Sequence, residues 1–194
     1  MNKLAMPDAD VLFYENFFSE TDSNNYFKKL RESILWQQQE LKMFGKNIAL
    51  PRLTAWYGDE GKPYRYSGIT HQPHSWTPEL LEIKAKIEEV ADLEFNSVLL
   101  NLYRDENDSV GWHSDDEAEL GENPVITSIS FGDVRQFQFK HKTDNTQRLS
   151  INLSSGSLLL MRGTTQHHWK HRIPKTKQSK SERMNLTFRV IHKL

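Results

Sequence analysis

Two histidines and one aspartate have the residue types and the spacing of a metal site. His113 and Asp115 lie two residues apart, and in an extended strand such residues point to the same face. His171, on a distant predicted strand, would add a second imidazole. Two imidazoles and one carboxylate on one face of an ion leave positions open, which suits non-haem Fe(II) that must also hold oxygen and a co-substrate. The pattern therefore predicts an iron site.

The choice of His171 has competitors close by in the sequence. His167 and His168 precede it closely, but neighbouring residues of a strand point to opposite faces. A His-x-Asp pair also occurs often by chance at an ordinary polar strand end. A metal-free, cupin-like binding module, in which the histidines are only structural, is therefore an alternative.

A late apolar strand carries two arginines that require anionic partners. Arg183 and Arg189 flank residues 184–188, and a period of two places them on one face together with Asn185 and Thr187. A dicarboxylate would satisfy them, because a guanidinium fork matches a carboxylate with two hydrogen bonds. On an earlier strand, an amide and a phenol hydroxyl share one face. These two side chains are Asn101 and Tyr103.

The composition indicates one soluble globular domain. The chain has 194 residues, of which 37% are hydrophobic and 26% charged, enough for a sizeable core. It has no cysteine, which excludes disulfides, zinc–thiolate sites, iron–sulfur clusters and cysteine nucleophiles, while 8 histidines are available as ligands. The start of the chain lacks the apolar run of a signal peptide, and no stretch is long enough to span a membrane. We expect a cytoplasmic monomer.

Charge is unevenly distributed along a chain whose formal net charge is −1. From Lys140 to the end there are 12 lysines and arginines but only Asp144 and Glu182 as acids, whereas the first 139 residues hold 13 basic and 24 acidic residues. This distribution is compatible with a basic face for phosphates and also with an ordinary solvated surface. Any contact with nucleic acid must be local to basic segments such as residues 174–182.

Helical periodicity is confined to the N-terminal half of the chain. A helix is predicted over residues 22–35, with Asp22 and Ser23 as capping candidates, and a second one begins at Pro78 after the cap Thr77. Short strands follow, and about eight of them after two helices favour an α+β fold, a double-stranded β-helix (jelly roll) core with N-terminal helices packed on one sheet. The predicted strands cover residues 95–103, 110–115, 125–131, 135–141, 148–153, 157–161, 168–173 and 184–191.

Two N-terminal segments each have a structural and a functional interpretation. Met43 and Phe44 stand beside Gly45 in a polar loop, where they fold back onto the core or form an apolar wedge between base steps. Exposed apolar loop tips are uncommon, so the local sequence alone favours the core. Tyr64 and Tyr66 share one face and form either core or a stacking platform for a base.

Taken in order, these motifs resemble the AlkB family of Fe(II)/2-oxoglutarate dioxygenases over about residues 10–192. The resemblance is closest to the branch that repairs alkylated bases in double-stranded DNA. Tyr66 stands where that branch has phenylalanine, which bears on base preference and not on the reaction. The matching motifs are Phe44-Gly45-Lys46, Tyr64-x-Tyr66-Ser67-Gly68, Asn101-x-Tyr103, His113-Ser114-Asp115-Asp116-Glu117, His171, Arg183-x5-Arg189 and Asn185-Leu186-Thr187-Phe188-Arg189.

The resemblance implies a catalytic role for each residue of the later motifs. Fe(II) would be held by His113, Asp115 and His171. Arg183 would pair with the distal carboxylate of 2-oxoglutarate. The other side chains implied around this co-substrate are Asn101, Tyr103, Asn185, Thr187 and Arg189.

The resemblance also implies a nucleic-acid site in the earlier motifs. It divides a single domain of residues 1–194 into N-terminal helices with a nucleotide-recognition lid (10–95) and a β-helix catalytic core (96–192). Tyr66 would stack on the damaged base, beside Tyr64 and Ser67, with Asp116 and Glu117 at the edge of the base. The residues implied at the duplex are Met43 and Phe44 as the wedge, Gly45 beside them, and Lys46 and Arg52.

The reaction that the resemblance implies is oxidative demethylation of bases in alkylated DNA, with duplex DNA favoured. Fe(II), O2 and 2-oxoglutarate would be used to demethylate 1-methyladenine and 3-methylcytosine, with release of formaldehyde, succinate and CO2. Methylation makes these bases cationic and weakens their pairing, so flipping them out costs less than for an intact base. The alternatives are demethylation of RNA or single strands, and hydroxylation of a protein or a small molecule.

Overall fold

The fold is mostly antiparallel β-sheet with few helices. The computed structural model describes residues 1–43, 46–61, 64–66 and 69–192. The helices in these ranges are α1 (Glu20–Ser33), α2 (Pro78–Ala91) and α3 (Thr165–His168), with a 3-10 helix at Ala118–Leu120. The strands are β1 (Asn2–Lys3), β2 (Asp10–Tyr14), β3 (Glu40–Met43), β4 (Lys46–Ala49), β5 (Leu53–Gly58), β6 (Tyr64–Tyr66), β7 (Ile69–His71), β8 (Ser97–Tyr103), β9 (Val110–His113), β10 (Ile126–Gly132), β11 (Arg135–His141), β12 (Arg148–Leu153), β13 (Leu158–Arg162), β14 (Trp169–Ile173) and β15 (Arg183–Arg189).

Two antiparallel sheets form the body of the fold, as a jelly-roll core requires. The larger sheet has seven strands in the order β1-β2-β13-β10-β15-β8-β5, and the smaller has four in the order β12-β11-β14-β9. Two hairpins, β3–β4 and β6–β7, form separate two-stranded sheets. Within the described ranges, none of the helices has the length and apolar character that crossing a membrane requires.

Both faces of the larger sheet are buried, because each face contributes apolar side chains to a separate buried cluster. On one face, Leu100 and Leu186 join a buried cluster with Leu30 of α1 and Ile83 of α2. On the other face, Tyr103 belongs to a second cluster, which includes apolar residues of the smaller sheet. The adjacent strands β8 and β15 therefore present apolar side chains to the helices and polar ones to the space between the sheets.

Helix α1 begins earlier than the sequence predicted. Its N-cap is Ser19, whose hydroxyl accepts a hydrogen bond from the backbone N–H of Asp22 at 3.1 Å. Asp22 and Ser23, the predicted caps, lie inside the first turn, where a negative charge is favourable. The second helix begins as predicted, with Thr77 as its cap and Pro78 at its first position.

The strand boundaries differ from the predicted ones at two places near the candidate site. Strand β9 ends at His113, so Asp115 lies beyond it. Residues 165–168 form the short helix α3, so His168 lies outside the strand in which it was predicted, and His167 also belongs to this helix. Elsewhere in the C-terminal half, the predicted strands agree with the structure to within about two residues.

Gly156 joins α1 to the larger sheet at a point where a side chain does not fit. Its φ of +79° is in the left-handed region, and an added Cβ would lie 2.5 Å from Ser23 Oγ and 2.6 Å from the Phe18 carbonyl oxygen. The Gly156 carbonyl accepts hydrogen bonds from the backbone N–H groups of Phe17 and Phe18. The backbone around it is therefore unable to move away without loss of these bonds.

Substitution Gly156→Ala should lower the free energy of unfolding by about 2–5 kcal/mol, from left-handed strain and from the clash. Gly163→Ala is a matched control, because Gly163 also has a left-handed φ of +59° but its added Cβ would have no neighbour closer than 3.8 Å. The control should lose only about 1–2 kcal/mol. Chemical denaturation measures both, and equal losses would contradict the clash.

Candidate metal centre and co-substrate pocket

Two imidazoles meet because their strands are paired in the smaller sheet. His113, the last residue of β9, lies directly opposite His171 of β14, and the two ring centroids are 4.3 Å apart. Asp115 completes the group, with Oδ1 at 4.0 Å from His113 Nε2 and Oδ2 at 3.9 Å from His171 Nε2. One ligand atom of each residue lies within 4.8 Å of the others, so the three side chains could hold one metal ion.

The directions of the His113 and Asp115 side chains do not follow from simple strand alternation. The pairing of β9 with β14 is irregular, since Val110 is opposite Ile173 and His113 is opposite His171. This β-bulge directs both Val110 and His113 into the space between the sheets. Beyond the strand, the Asp115 backbone N–H donates to Gln166 Oε1 at 3.0 Å.

Hydrogen bonding orients His113 toward the candidate metal position, and burial keeps His171 neutral. His113 Nδ1 is 2.9 Å from the Gly111 carbonyl oxygen, so it donates its proton there and leaves the Nε2 lone pair facing Asp115. Burial, followed by the proximity of His113, lowers the pKa of His171 to about 3, so this imidazole is neutral at neutral pH. His171 therefore offers a lone pair and not a charge.

Arg189 has a protein anion as its partner. Its Nη2 donates to Asp115 Oδ1 at 2.9 Å, and both side chains are buried. Burial alone would raise the pKa of Asp115, but Arg189, through its charge and its hydrogen bond, is the main cause that holds that pKa at about 2. The two arginines on one face of β15 predicted a ligand anion for both, but for Arg189 the candidate metal ligand already supplies one.

Arg183 differs, because its neighbours are neutral. It is 1% exposed, its Nη2 donates to Ser130 Oγ at 2.9 Å, and its guanidinium carbon lies 5.2 Å from the ring centroid of Tyr103. Its Nε and Nη1 have no hydrogen-bond partner among the described residues. Burial lowers its pKa to about 10, so it remains a cation at neutral pH. A buried, incompletely bonded cation is costly unless an anion binds there.

Tyr103 is held between two buried arginines. Arg135 lies 5.7 Å from the ring centroid, and it donates hydrogen bonds to the carbonyl oxygens of Asp105, Asp108 and Pro174. Arg135 therefore fixes the loop after β8 and supports the ring that contacts Arg183. Sequence analysis gave Arg135 no role, because its partners are backbone carbonyls that have no signature in the sequence.

The register of β8 against β15 brings the remaining polar side chains together. Asn101 lies opposite Asn185, and Tyr103 lies opposite Arg183. Thr187 donates to Asn185 Oδ1 at 3.0 Å, and Asn185 Nδ2 donates to Ser128 Oγ at 2.7 Å. With Arg183 and the three candidate metal ligands, these side chains line one pocket between the sheets.

A second group of possible ligands is less suited to a metal. Asp8, His141 and His168 also have ligand atoms within 4.8 Å of one another. However, His141 Nδ1 accepts the backbone N–H of Asp144 at 3.0 Å, so the neutral ring carries its proton on Nε2. That nitrogen faces Asp8 Oδ2 at 3.8 Å and has no lone pair for an ion.

Comparison with known proteins agrees with this pocket. A family model described as "2OG-Fe(II) oxygenase superfamily" matches residues 10–189. The chain belongs to this superfamily. The superfamily implies Fe(II), O2 and 2-oxoglutarate, and the pocket of this oxygenase fits them, with three N and O donors for an ion and an unsatisfied buried cation for a carboxylate.

Relatives of this oxygenase include AlkB homologues. "Alpha-ketoglutarate-dependent dioxygenase alkB homolog 3" of Bos taurus is 44% identical over 191 residues, which cover 94% of this chain and 66% of the relative. "DNA oxidative demethylase ALKBH2" of Mus musculus is 37% identical over 188 residues, covering 92% of this chain and 79% of the relative. A solved structure described as OsALKBH1 has the same fold, with a TM-score of 0.67, 18% identity, and coverage of 96% of this chain and 100% of that one. The resemblance to the AlkB family is confirmed.

Arg52 of this oxygenase is not where a duplex contact was expected. It is only 4% exposed, and its guanidinium donates to Asn101 Oδ1 at 2.7 Å and to the Ser109 carbonyl oxygen at 3.2 Å. It lines the pocket beside a residue expected at the co-substrate. Arg52 directly precedes β5, whose pairing with β8 places its side chain beside Asn101, and its role in holding the duplex stays a prediction.

The two acidic residues after the candidate ligand have different surroundings. Asp116 is exposed and forms a salt bridge with Lys142 at 3.0 Å. Glu117 is half-buried and precedes the 3-10 helix. A contact between Asp116 and a base would have to compete with Lys142.

Several residues predicted at the nucleic acid fall outside what the structure describes. Phe44, Gly45 and Ser67 lie outside the described residues. For Met43, Lys46, Tyr64 and Tyr66 only the backbone is described, in β3, β4 and β6. Met43 and Lys46 are opposite each other in the β3–β4 hairpin.

Proposed function

We propose that this oxygenase oxidatively removes methyl groups from N-alkylated bases in DNA, with 1-methyladenine and 3-methylcytosine as substrates and duplex DNA favoured. One observation carries the proposal. A two-histidine, one-carboxylate cluster and the buried, incompletely bonded guanidinium of Arg183 line one pocket. The printed name of a relative, a DNA oxidative demethylase, supports the substrate class.

The residues of the pocket have separate tasks in this reaction. His113, Asp115 and His171 would hold Fe(II), which when bound supplies the site at which O2 and 2-oxoglutarate are converted to CO2, succinate and an oxidant for the methyl group. Arg183 would bind the distal carboxylate of 2-oxoglutarate, and Arg189 keeps Asp115 ionised and oriented. The hydroxylated methyl group would then leave as formaldehyde.

The amide and hydroxyl groups of β8 and β15 would orient the co-substrate. Asn101, Tyr103, Asn185 and Thr187 have polar groups in the same pocket as Arg183, and most are already fixed by hydrogen bonds or ring contacts to their neighbours. Donors that are already fixed in position bind an anion without a free-energy cost for reorienting their side chains. Their contribution would be orientation of the keto acid rather than proton transfer.

The N-terminal half would recognise the base. In this proposal residues 10–95 form the helices and the nucleotide-recognition lid, and residues 96–192 form the catalytic core. Tyr66 would stack on the cationic base, an arrangement that favours a methylated base over a neutral one. The remaining contacts proposed here are Tyr64 and Ser67 around the base, Asp116 and Glu117 at its edge, and Met43, Phe44, Gly45 and Lys46 at the duplex.

The decisive experiment is a panel of methylated oligonucleotides. Single-stranded and duplex DNA and RNA, each with one 1-methyladenine or 3-methylcytosine, are incubated with the enzyme, Fe(II), O2 and 2-oxoglutarate, and formaldehyde is measured. Release from methylated DNA supports the proposal. Release from RNA alone would favour an RNA demethylase, and succinate production without any formaldehyde from the panel would favour hydroxylation of a protein or a small molecule.

Phe44→Ala should reduce demethylation of duplex DNA by about 5- to 150-fold relative to single-stranded DNA, because a lost aromatic stack costs about 1–3 kcal/mol. A single strand needs no wedge, so its rate is the internal reference. Ile48→Ala is the matched control, because Ile48 is a 47% exposed apolar residue of the same hairpin. An unchanged duplex-to-single-strand ratio in Phe44→Ala would contradict the wedge.

A further inference from the structure

The smaller sheet has one face toward the pocket and one toward solvent. Along β11, Phe137 and Phe139 are buried, while Gln138 and Lys140 alternate onto the outer side. Four cations lie on this outer side, and the other outer positions of β11, β12 and β14 are neutral. We call this surface the outer cationic face; its cations are Lys140, Arg148, Lys170 and Arg172.

Three of these cations form a single row across three strands. In the register of the sheet, Lys140 lies opposite Arg148 of β12 and opposite Lys170 of β14. Directly opposed side chains have Cβ atoms about 5 Å apart, and like charges in such pairs are destabilising. None of the three forms an ion pair with another residue in the described part of the chain. The row is therefore arranged for anions that another molecule supplies.

Trp112 organises the cations nearest to the metal centre. The bulge in β9 that turns His113 into the pocket leaves Trp112 on the outer side. The centroid of its indole lies 4.5 Å from the guanidinium carbon of Arg172 and 5.2 Å from Lys140 Nζ. Such contacts hold two long side chains over a rigid ring, so less freedom is lost when they bind a ligand.

The pocket opens beside this face. The His113 side chain is 31% exposed, whereas those of Asp115 and His171 are 3% and 6% exposed. The opening is therefore on the side of β9, the edge strand of the smaller sheet. A strand of nucleic acid that placed one base in the pocket through this opening would have its backbone at this edge, next to Trp112 and the cations around it.

We propose that the outer cationic face binds the phosphate backbone of the DNA strand whose damaged base enters the pocket. This inference rests on the proposed function and adds to it a second contact surface on the catalytic core. The contacts are to phosphates, so they would position the strand without reading its sequence. Charge complementarity favours this occupant, because the row has cations on three adjacent strands and no acid among its outer neighbours.

The test compares two pairs of substitutions for binding of a labelled single-stranded oligonucleotide that carries one 1-methyladenine. The enzyme is loaded with Fe(II) and 2-oxoglutarate without oxygen, and fluorescence anisotropy is measured over a series of salt concentrations. Lys140→Gln with Lys170→Gln removes two cations of the row. The control, Lys28→Gln with Lys86→Gln, removes two exposed lysines of α1 and α2 and the same total charge.

The row variant should lose about 1.4 from the slope of log affinity against log salt, since each phosphate contact to a single strand contributes roughly 0.7. At about 0.1 M salt this corresponds to roughly 25-fold weaker binding. The control should keep the slope of the unaltered enzyme. Equal slopes and affinities for the two variants would overturn the inference.

A separate measurement distinguishes failure of this inference from failure of the proposed function. The unaltered enzyme is assayed for formaldehyde release from a methylated trinucleotide, which is too short to fill the pocket and reach the row. If formaldehyde is released from the trinucleotide and the two variants behave equally, only the inference that the outer cationic face binds phosphates is contradicted. If no formaldehyde is released from the trinucleotide or from longer methylated DNA, both the proposed function and this inference are contradicted.

Discussion

Substitution Arg183→Met should raise the 2-oxoglutarate concentration needed for half-maximal activity by roughly 30- to 4000-fold, because loss of one member of a buried charge pair costs about 2–5 kcal/mol. The free energy of unfolding of the ligand-free protein should change little or increase. Arg183 is buried without a carboxylate partner in the described structure, and an apolar side chain of similar length is often at least as stable in such a place. Initial rates at varied 2-oxoglutarate and denaturant titration measure the two effects.

Arg135→Met is the matched control for this result. Arg135 is buried to a similar degree and contacts the same tyrosine, but it donates to three backbone carbonyl oxygens. Its loss leaves buried acceptors unsatisfied at about 1–3 kcal/mol each, so this variant should be clearly destabilised. If Arg183→Met were destabilised as strongly while its 2-oxoglutarate requirement stayed normal, Arg183 would be a structural residue.

Substitution Asp115→Asn should reduce Fe(II) affinity by at least about 100-fold. Loss of a group that only hydrogen-bonds to a ligand costs up to about 100-fold, and loss of a ligand itself should cost at least as much. The amide keeps the size of the side chain but removes its charge. The change also takes the carboxylate partner from buried Arg189, which should lower the free energy of unfolding by about 3–5 kcal/mol. Titration with Co(II), monitored by the visible absorption of the bound ion, measures metal binding directly and does not depend on turnover.

Asp116→Asn provides the comparison for metal binding. Asp116 is the neighbouring carboxylate, but it is exposed and bridged to Lys142. Exposed salt bridges contribute little, so both the Co(II) affinity and the stability of this variant should stay close to those of the unaltered protein. Equal loss of Co(II) affinity in the two variants would mean that general negative charge, and not the three-residue cluster, attracts the ion.

The parts of the fold that depend on local rules could be predicted from the sequence. The period of two over residues 135–141 and 148–153 gave β11 and β12 with the bounds that the structure has. Thr77 before Pro78 gave the start of α2. The alternation of β15 predicted that Arg183 and Arg189 share one face, and both line the pocket. Each of these rules concerns residues that are neighbours in the chain.

The parts that depend on distant partners could not be predicted in this way. The salt bridge of Arg189 with Asp115 joins residues 74 apart, and the hydrogen bond that holds the Asp115 backbone comes from Gln166, 51 residues away. The burial of Arg52 results from the register of β5 on β8, which its own segment does not encode. The bulge in β9 likewise appears only when β14 is beside it.

The place of β9 at the edge of the smaller sheet links metal binding to the stability of that strand. Within the described part of the chain, β9 has β14 as its neighbour on one side and no strand on the other. Strands with few hydrogen bonds to neighbouring strands open at a lower free energy than central strands. An ion bound by both His113 and His171 would therefore stabilise the pairing of β9 with β14. A molecule that has lost its iron would loosen the same strand that presents Trp112.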